Sequence, residues 1–390
     1  MADKTFADGL HSNCSFITTQ DQLSTAMRAL AAQPFVAVDT ESNSFHAYRE
    51  RICLIQLSIP GLDFIVDPLL SLDLSALGEV FANPVIQKVF HAAEQDVAGL
   101  RRDFGFALAN LFDTMWAARI LGWPQIGLVD LMWTMFGVRT DKKYQRYNWG
   151  KRPLAPEALA YARRDTHYLL PLRERLAKEL AEKGRAEEAR QVFIQLAHTP
   201  AAKPPFGPDG FWRMKGVRDL SGREQAVLWQ LYLWRDRVAK AQDRAPFRVI
   251  ADSMLLMLAR ACPRTPADLA AMRGIPAQIA RRYGQALLAA IAAGQEGPIP
   301  EPPPQPPRPE EADMQRFQAL RAWRQGVAAQ RGVAADVVLS NAMLWALAKR
   351  RPTTLADLEG IEGLDPWKRS SYGSDILRVL RRQVVGPYRK

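Results

Sequence analysis

Apolar positions in the first half of the chain follow two periods. Phe35-Val36-Ala37-Val38, Ile52–Ile59 and Asp63-Phe64-Ile65-Val66-Asp67 are short runs rich in aromatic and β-branched residues, and they predict strands, as does Lys88-Val89-Phe90-His91. Between and after them the spacing lengthens to that of one helix face. It predicts helices over 21–32, over Ala76 to Phe81, over Ala92 to Phe104 with Gly105 as its stop, and near Met115–Leu121 and Leu128–Phe136. Strands come first and helices follow, so the expected fold is a mixed α/β sheet flanked by helices. A long helix is expected from Pro156-Glu157, with proline in the first turn, where its missing N–H leaves no bond unmade. Pro171 should kink or divide it, and helical residues continue to about Gln195.

The second half has a different organisation. Ala201 to Gly210 and Gly297 to Glu311 are rich in proline and read as linkers, the second an extended spacer gaining about 3.1 Å per residue. Around them the sequence repeats itself at an offset of 89. Trp234-Arg235 meets Trp323-Arg324, Met254-Leu255 meets Met343-Leu344, Asp268-Leu269 meets Asp357-Leu358, and Tyr283-Gly284 meets Tyr372-Gly373. Each copy reads as four or so helices: a Trp-Arg helix, a Met/Leu-rich helix, a short one capped at Thr265 or Thr354, and a last basic helix. The division is a sheet domain over 1–200, a small all-α domain over 208–296, a Pro-rich linker over 297–311 and a second all-α domain over 312–390. The repeated Trp and Tyr read as core, and Arg281, Arg282, Lys368 and Arg369 as candidates for phosphate contact.

Charge sharpens this division. The formal net charge is +11. Residues 1–200 hold 22 basic against 23 acidic side chains, 201–300 hold 15 against 8, and 301–390 hold 15 against 10. A near-neutral half joined to a basic half suggests an anionic polymer as partner, most simply nucleic acid, with an ordinary solvated basic surface as the alternative. No charged-then-apolar leader and no long uncharged apolar run is found, so neither export nor a membrane span is expected. Three cysteines, Cys14, Cys53 and Cys262, lack metal-ligand spacing and fit a reducing cytoplasm.

Candidate chemistry begins where the first predicted strand ends in acid, at Asp39-Thr40-Glu41. Side chains at i and i+2 share a strand face. Two carboxylates so close repel unless a cation lies between them, and a hard divalent cation is the natural partner. Asp96 follows the strand ending at His91. Tyr161 and Asp165 stand four apart on one face of the long helix. Any one of these signals is weak; their ordered series is specific. Arg139 to Arg152 interleaves basic and aromatic residues without any period, and reads either as a solvated loop or as a segment that contacts phosphates and stacks bases.

With these residues the sequence resembles the DEDD exonuclease superfamily in its tyrosine branch, and within it the RNase D family. The resemblance extends to Lys88–Leu100, Leu111-Phe112-Asp113-Thr114, Ala117–Gly122, Asn148–Leu154 and Tyr161–Leu170. Asn148 departs from it, since an Asp is expected before the Trp. The repeated helical unit is similar to the HRDC domain. The resemblance implies an RNase H-like exonuclease domain followed by two HRDC-like domains. It implies that Asp39, Glu41, Asp96 and Asp165 hold two divalent ions, Mg²⁺ or Mn²⁺, and that Tyr161 orients an attacking water. The implied activity is metal-dependent 3′→5′ removal of 5′-mononucleotides from RNA, including tRNA precursors, by a cytoplasmic monomer. A DNA exonuclease of the same superfamily and a catalytically silent nucleic-acid-binding protein are the alternatives. His91, Tyr144, Trp149 and Arg152 are the expected nucleic-acid contacts, and Gln56, Phe45 and Arg119 are further candidates from position.

Overall fold

Six strands pair into one mixed sheet in a computed structural model that describes residues 13–138, 142–202, 208–304 and 308–382. They are β1 (Cys14–Ile17), β2 (Phe35–Ser42), β3 (Ile52–Ile59), β4 (Leu62–Val66), β5 (Gln87–Phe90) and β6 (Leu111–Asp113), in the spatial order β1-β4-β3-β2-β5-β6. β2, β3 and β4 form an antiparallel meander, whereas β5 runs parallel to β2 and β6 parallel to β5. The four expected strands are present. β1 and β6, of 4 and 3 residues, were not anticipated. Both lie at the edges, where they complete the sheet. β3 is buried along its whole length, as an inner strand with both faces covered must be.

Among the described residues, eight α-helices belong to this half: α1 (Gln20–Ala31), α2 (Ser75–Ala82), α3 (Glu94–Phe104), α4 (Thr114–Leu121), α5 (Leu128–Phe136), α6 (Pro156–His167), α7 (Leu169–Glu182) and α8 (Ala186–Ala197). α1 opens on a capping box between Thr19 and Gln22 and buries Leu23, Ala26, Met27 and Leu30, one face at helical spacing. The long helix divides at Tyr168, and Pro171 falls in the first turn of α7, where its ring displaces no intrahelical bond. Among the described residues, no helix is long and apolar enough to cross a membrane.

The two repeats superimpose element by element. The first holds α9 (Gly222–Ala241), α10 (Pro246–Val249), α11 (Asp252–Ala261), α12 (Pro266–Ala271) and α13 (Ala277–Glu296). The second holds α14 (Glu311–Arg331), α15 (Ala335–Val338), α16 (Asn341–Arg350), a short 3₁₀ turn at Ala356–Leu358 and α17 (Pro366–Arg382). The 89-residue offset maps α10 onto α15 and α11 onto α16 residue for residue. Trp234 meets Tyr283 edge-on at 5.4 Å between centroids, and Trp323 meets Tyr372 at 5.8 Å, so these aromatics do pack inside. One expectation is corrected. Lys368 is only 4 % exposed and its ammonium lies 2.5 Å from Asp365, so it is an internal ion pair and no phosphate contact. Arg281 and Arg282 are exposed. The middles of both linkers, 203–207 and 305–307, lie outside the described residues.

Both copies dock on the sheet domain by a shared corner, the end of their first long helix and the short helix after it, and the second adds the turn before its last helix, where Gln195 meets Gly363 and Asp365. In the first copy, Asp243 accepts from the backbone N–H of Tyr48 and Arg49, the Tyr48 hydroxyl donates to Asp236, and Arg248 donates to the carbonyl of Phe45. In the second copy, Arg331 pairs with buried Glu188 at 2.5 Å and Asp336 with Arg119 at 2.5 Å. Here Gly122 is required twice over. Its φ of +78° is left-handed, and a Cβ would stand 2.1 Å from the carbonyl oxygen of Gly332.

Inside the first copy, α13 presses against α9 at Gly294, where a Cβ would lie 2.3 Å from the Cα of Val227 and 2.9 Å from the oxygen of Ala226. Gly294→Ala gains about 1 kcal/mol of helix propensity. The clash is with backbone and forces the helices apart, at a cost of about 1–3 kcal/mol or more. Net destabilisation is expected, read as a lower midpoint in urea unfolding.

Candidate active site

β2 ends at the middle of the sheet, and its last residues carry the acids. Asp39 and Glu41 leave one face of the strand, and Asp165 faces them from α6. Each offers a carboxylate oxygen, and these oxygens all lie within 4.8 Å of one another. The register of β2 against β3 shifts between Glu41 and Ser42, a bulge placed directly after the second acid. Asp96 comes from the start of α3. Thr40 points to the opposite face of β2 from its neighbours, and its hydroxyl donates to Asp96 at 2.6 Å. The fourth acid thus stands beside the trio rather than inside it, close enough for its charge to act on Asp39, Glu41 and Asp165.

Burial and mutual repulsion dominate the electrostatics. Burial first, then the charges of Asp96, Asp165 and Glu41, hold Asp39 well above the ordinary carboxylate range. Burial and the charge of Asp165 do the same to Glu41. Burial raises Asp96 to about 7 against the Thr40 hydrogen bond, and raises Asp165 to about 7 against a hydrogen bond from Tyr161. All-oxygen donors, inward-facing and reluctant to ionise together, suit a hard divalent cation. Tyr161 is pushed far up by burial and the neighbouring acids, so its hydroxyl stays protonated and donates.

The aromatic residues before α6 build one wall of this pocket. Tyr144 lies 5.4 Å from the Tyr161 ring, Trp149 lies 6.3 Å from it, and Tyr147 bridges Tyr144 and Trp149. The two readings of the Arg139–Arg152 segment therefore separate by residue type. Tyr144, Tyr147 and Trp149 turn inward, while Lys143, Arg146 and Lys151 are exposed. Residues 139–141 lie outside the described residues.

Several expected nucleic-acid contacts are corrected. Trp149 is 1 % exposed and packs behind Tyr161. Arg152 grips both oxygens of Asp67 and the carbonyls of Trp149 and Cys53, which makes it an anchor for the loop. Gln56 is wholly buried opposite Asp39. Arg119 lies over Trp116 and pairs with Asp336 in the docking contact of the second helical domain. Tyr144 remains half-buried at the pocket, and Phe45 remains exposed. His91 is half-buried against the Thr114 hydroxyl at 2.9 Å, and burial lowers its imidazole to about 4, so it is neutral.

One residue that positions the site had no assigned role. Asp113, at the end of β6, is fully buried. It accepts from the N–H of Ala93 at 2.7 Å and caps α4 through the N–H of Trp116 at 2.9 Å. Ala92 just before takes a left-handed φ of +61°, so α3 starts at Glu94 and not at Ala92. Asp113 thereby fixes the turn from which Asp96 projects. The signal available in sequence was the Asp-Thr pair that follows Leu111-Phe112, a common cap pattern.

The geometry can be compared with known proteins. The 3′-5′ exonuclease family model matches residues 14–181, and the HRDC domain model matches 224–291 and 313–380. A ribonuclease D of Jannaschia sp. is 32% identical over 95% of this chain and 96% of its own. The crystal structure of Escherichia coli RNase D, described as an exoribonuclease involved in structured RNA processing, covers 95% of this chain and 99% of its own, at 26% identity and a TM-score of 0.64. The catalytic core of RRP6 from Trypanosoma brucei covers 73% of this chain and 80% of its own, at 30% identity and a TM-score of 0.66.

Two outcomes are expected of the site. Asp113→Asn keeps one acceptor and loses the other, and should lower kcat about tenfold with KM for RNA little changed, as outer supports of metal ligands do. The second outcome concerns pH. Asp96 and Asp165 titrate near 7 when folded and near 4 when unfolded, so the folded state holds more protons in that window, and metal-free stability falls as pH rises through it. In chelator, the melting temperature of Asp165→Asn should therefore exceed that of the unsubstituted protein at pH 8 and converge with it towards pH 4. Added Mg²⁺ or Mn²⁺ should raise the unsubstituted protein more at pH 8 than at pH 5.

Four acids and a tyrosine in this order, a matching sheet, two HRDC domains and near full-length likeness together place the chain in the ribonuclease D family of 3′→5′ exoribonucleases.

Proposed function

We propose that this enzyme trims single-stranded 3′ tails from structured RNAs, tRNA precursors among them, one 5′-mononucleotide at a time. The observation that carries the reading is the convergence of Asp39, Glu41 and Asp165 within 4.8 Å, with Asp96 beside them and Tyr161 hydrogen-bonded to Asp165. Asp39, Glu41, Asp96 and Asp165 are the residues that would hold two divalent ions, Mg²⁺ or Mn²⁺. Bound there, such ions supply positive charge opposite the scissile phosphate and acidify a water. Tyr161, held by Asp165 and backed by Tyr144 and Trp149, presents a protonated hydroxyl that orients the attacking water in line with the departing 3′-oxygen. The buried aromatic wall excludes bulk water on that side. Exposed Lys143, Arg146 and Lys151 flank the pocket and neutralise phosphates of the entering strand. The basic helical half adds affinity for the RNA body. The three cysteines are free, which suits action in the reducing cytoplasm, and the chain's acids need no second copy to assemble, which suits a monomer.

The test compares equal amounts of 3′-labelled single-stranded RNA and DNA, with Mg²⁺, with Mn²⁺ and with chelator. RNA should be shortened stepwise to mononucleotides only with a cation, and DNA should persist. Asp39→Asn and Asp165→Asn should abolish digestion while leaving RNA binding largely intact. Full activity in either variant, or equal loss of DNA, would sink the corresponding part of the reading.

A further inference from the structure

Because both helical copies dock by the same corner, both leave the same opposite edge uncovered. That edge is made by the capped turn and the C-terminal half of the last helix. In the second copy it forms an open groove of about 540 Å³ whose lining includes Thr353, Thr354, Ser374, Arg378, Arg381 and Arg382. The arginines follow i, i+3, i+4 on α17 and so share one face. All three are exposed. Arg381 donates to the carbonyl of Thr353 at 3.0 Å, which directs it across the groove, and Arg378 lies 2.7 Å from Asp375. The turn opposite spends its own acid internally: Asp357 accepts from the N–H groups of Thr353 and Thr354.

The first copy serves as an internal control. Eighty-nine residues earlier, the same three positions are Ala289, Ala292 and Ala293, and these are exposed too. Packing therefore does not dictate the difference. Helix propensity does not either, since Ala and Arg are both good helix formers. What three exposed guanidiniums on one face add is grip on phosphate, by forked, charge-assisted hydrogen bonds. Arg264 takes the place of Thr353 in the first copy, which leaves that groove with one arginine across from three alanines.

We propose that the two copies divide their work: the second grips the RNA backbone through Arg378, Arg381 and Arg382, and the first makes no matching contact. The first copy instead holds the loop that follows Glu41. Arg248 and Ala245 bind the carbonyls of Phe45 and His46, and His46 in turn contacts the carbonyl of Arg146 beside the aromatic wall. This division rests on RNA being the substrate.

The experiment uses the full chain carrying Asp39→Asn, so that RNA is bound without loss. A fluorescein-labelled hairpin with a single-stranded 3′ tail is titrated by anisotropy between 50 and 200 mM salt. Arg378→Ala/Arg381→Ala/Arg382→Ala should weaken binding and flatten the slope of log affinity against log salt by about 2, each lost single-strand phosphate contact being worth about 0.7. Lysine at the three positions should restore most of the slope. Arginine at Ala289, Ala292 and Ala293 should steepen it. Should the triple variant not fold, Arg378→Ala/Arg382→Ala is expected to flatten the slope by about 1. An unchanged slope in a folded variant overturns the proposal. Cleavage of a 3′-labelled tetranucleotide by the unsubstituted protein checks the exoribonuclease reading separately; its failure would remove the substrate, whereas an unchanged slope beside normal cleavage would remove only the groove.

Discussion

The structure is organised around an unfavourable contact. Three carboxylates offer oxygens within 4.8 Å of one another in a largely buried pocket, with a fourth alongside. At an effective dielectric of about 20, each fully ionised pair at that separation repels by about 3 kcal/mol. Burial, more than any neighbouring charge, raises Asp96 and Asp165 to about 7, so without a cation the acids keep protons. Divalent cations relieve the same strain at neutral pH. A site that is costly without its ligand and favourable with it binds that ligand in a defined geometry.

Such a pocket persists because the scaffold is over-determined around it. β2 is an inner strand and cannot shift without breaking two ladders. Asp113 pins the turn before α3, Thr40 holds Asp96, and Arg152 fastens the aromatic loop to Asp67 on the far side of β3. Tyr161 is locked by ring contacts on one side and Asp165 on the other. Asp113, Thr40 and Arg152 act from outside the acid cluster itself. The acids can therefore be held together in a state that their own electrostatics disfavour.

The helical half illustrates how one sequence repeat yields two tasks. Interior residues are kept between the copies: Trp above Tyr, and an arginine whose guanidinium satisfies the carbonyl of Ile250 or Leu339. Docking residues differ in chemistry but occupy the same corner, acid to backbone amide in one copy and guanidinium to buried Glu188 in the other. The outer face differs most, alanine against arginine. Core packing constrains shape, whereas an exposed helix face is free to take up a binding role.

Much of this was legible in the chain. Long inner strands and amphipathic helices carry their period in the sequence, and the 89-residue repeat needs no structure to be seen. Strand and helix spacing pairs Asp39 with Glu41 and Tyr161 with Asp165, and the resemblance to the tyrosine-branch exonucleases joined these pairs to Asp96. The two edge strands were not legible, since Cys14–Ile17 and Leu111–Asp113 each hold a polar residue and too few apolar ones to stand out. Burial of individual polar and aromatic side chains was not either. Trp149, Arg152, Gln56 and Lys368 carry the residue types of a nucleic-acid surface, yet each is turned into the molecule: Trp149 packs behind Tyr161, Arg152 grips Asp67, Gln56 lies inside the sheet opposite Asp39, and Lys368 pairs with Asp365 three residues before it. Sequence alone determined the longer elements, whose period is local, and through its resemblance the set of acids. Tertiary structure decided which side chains are left to meet a substrate, because exposure depends on what the rest of the chain packs against.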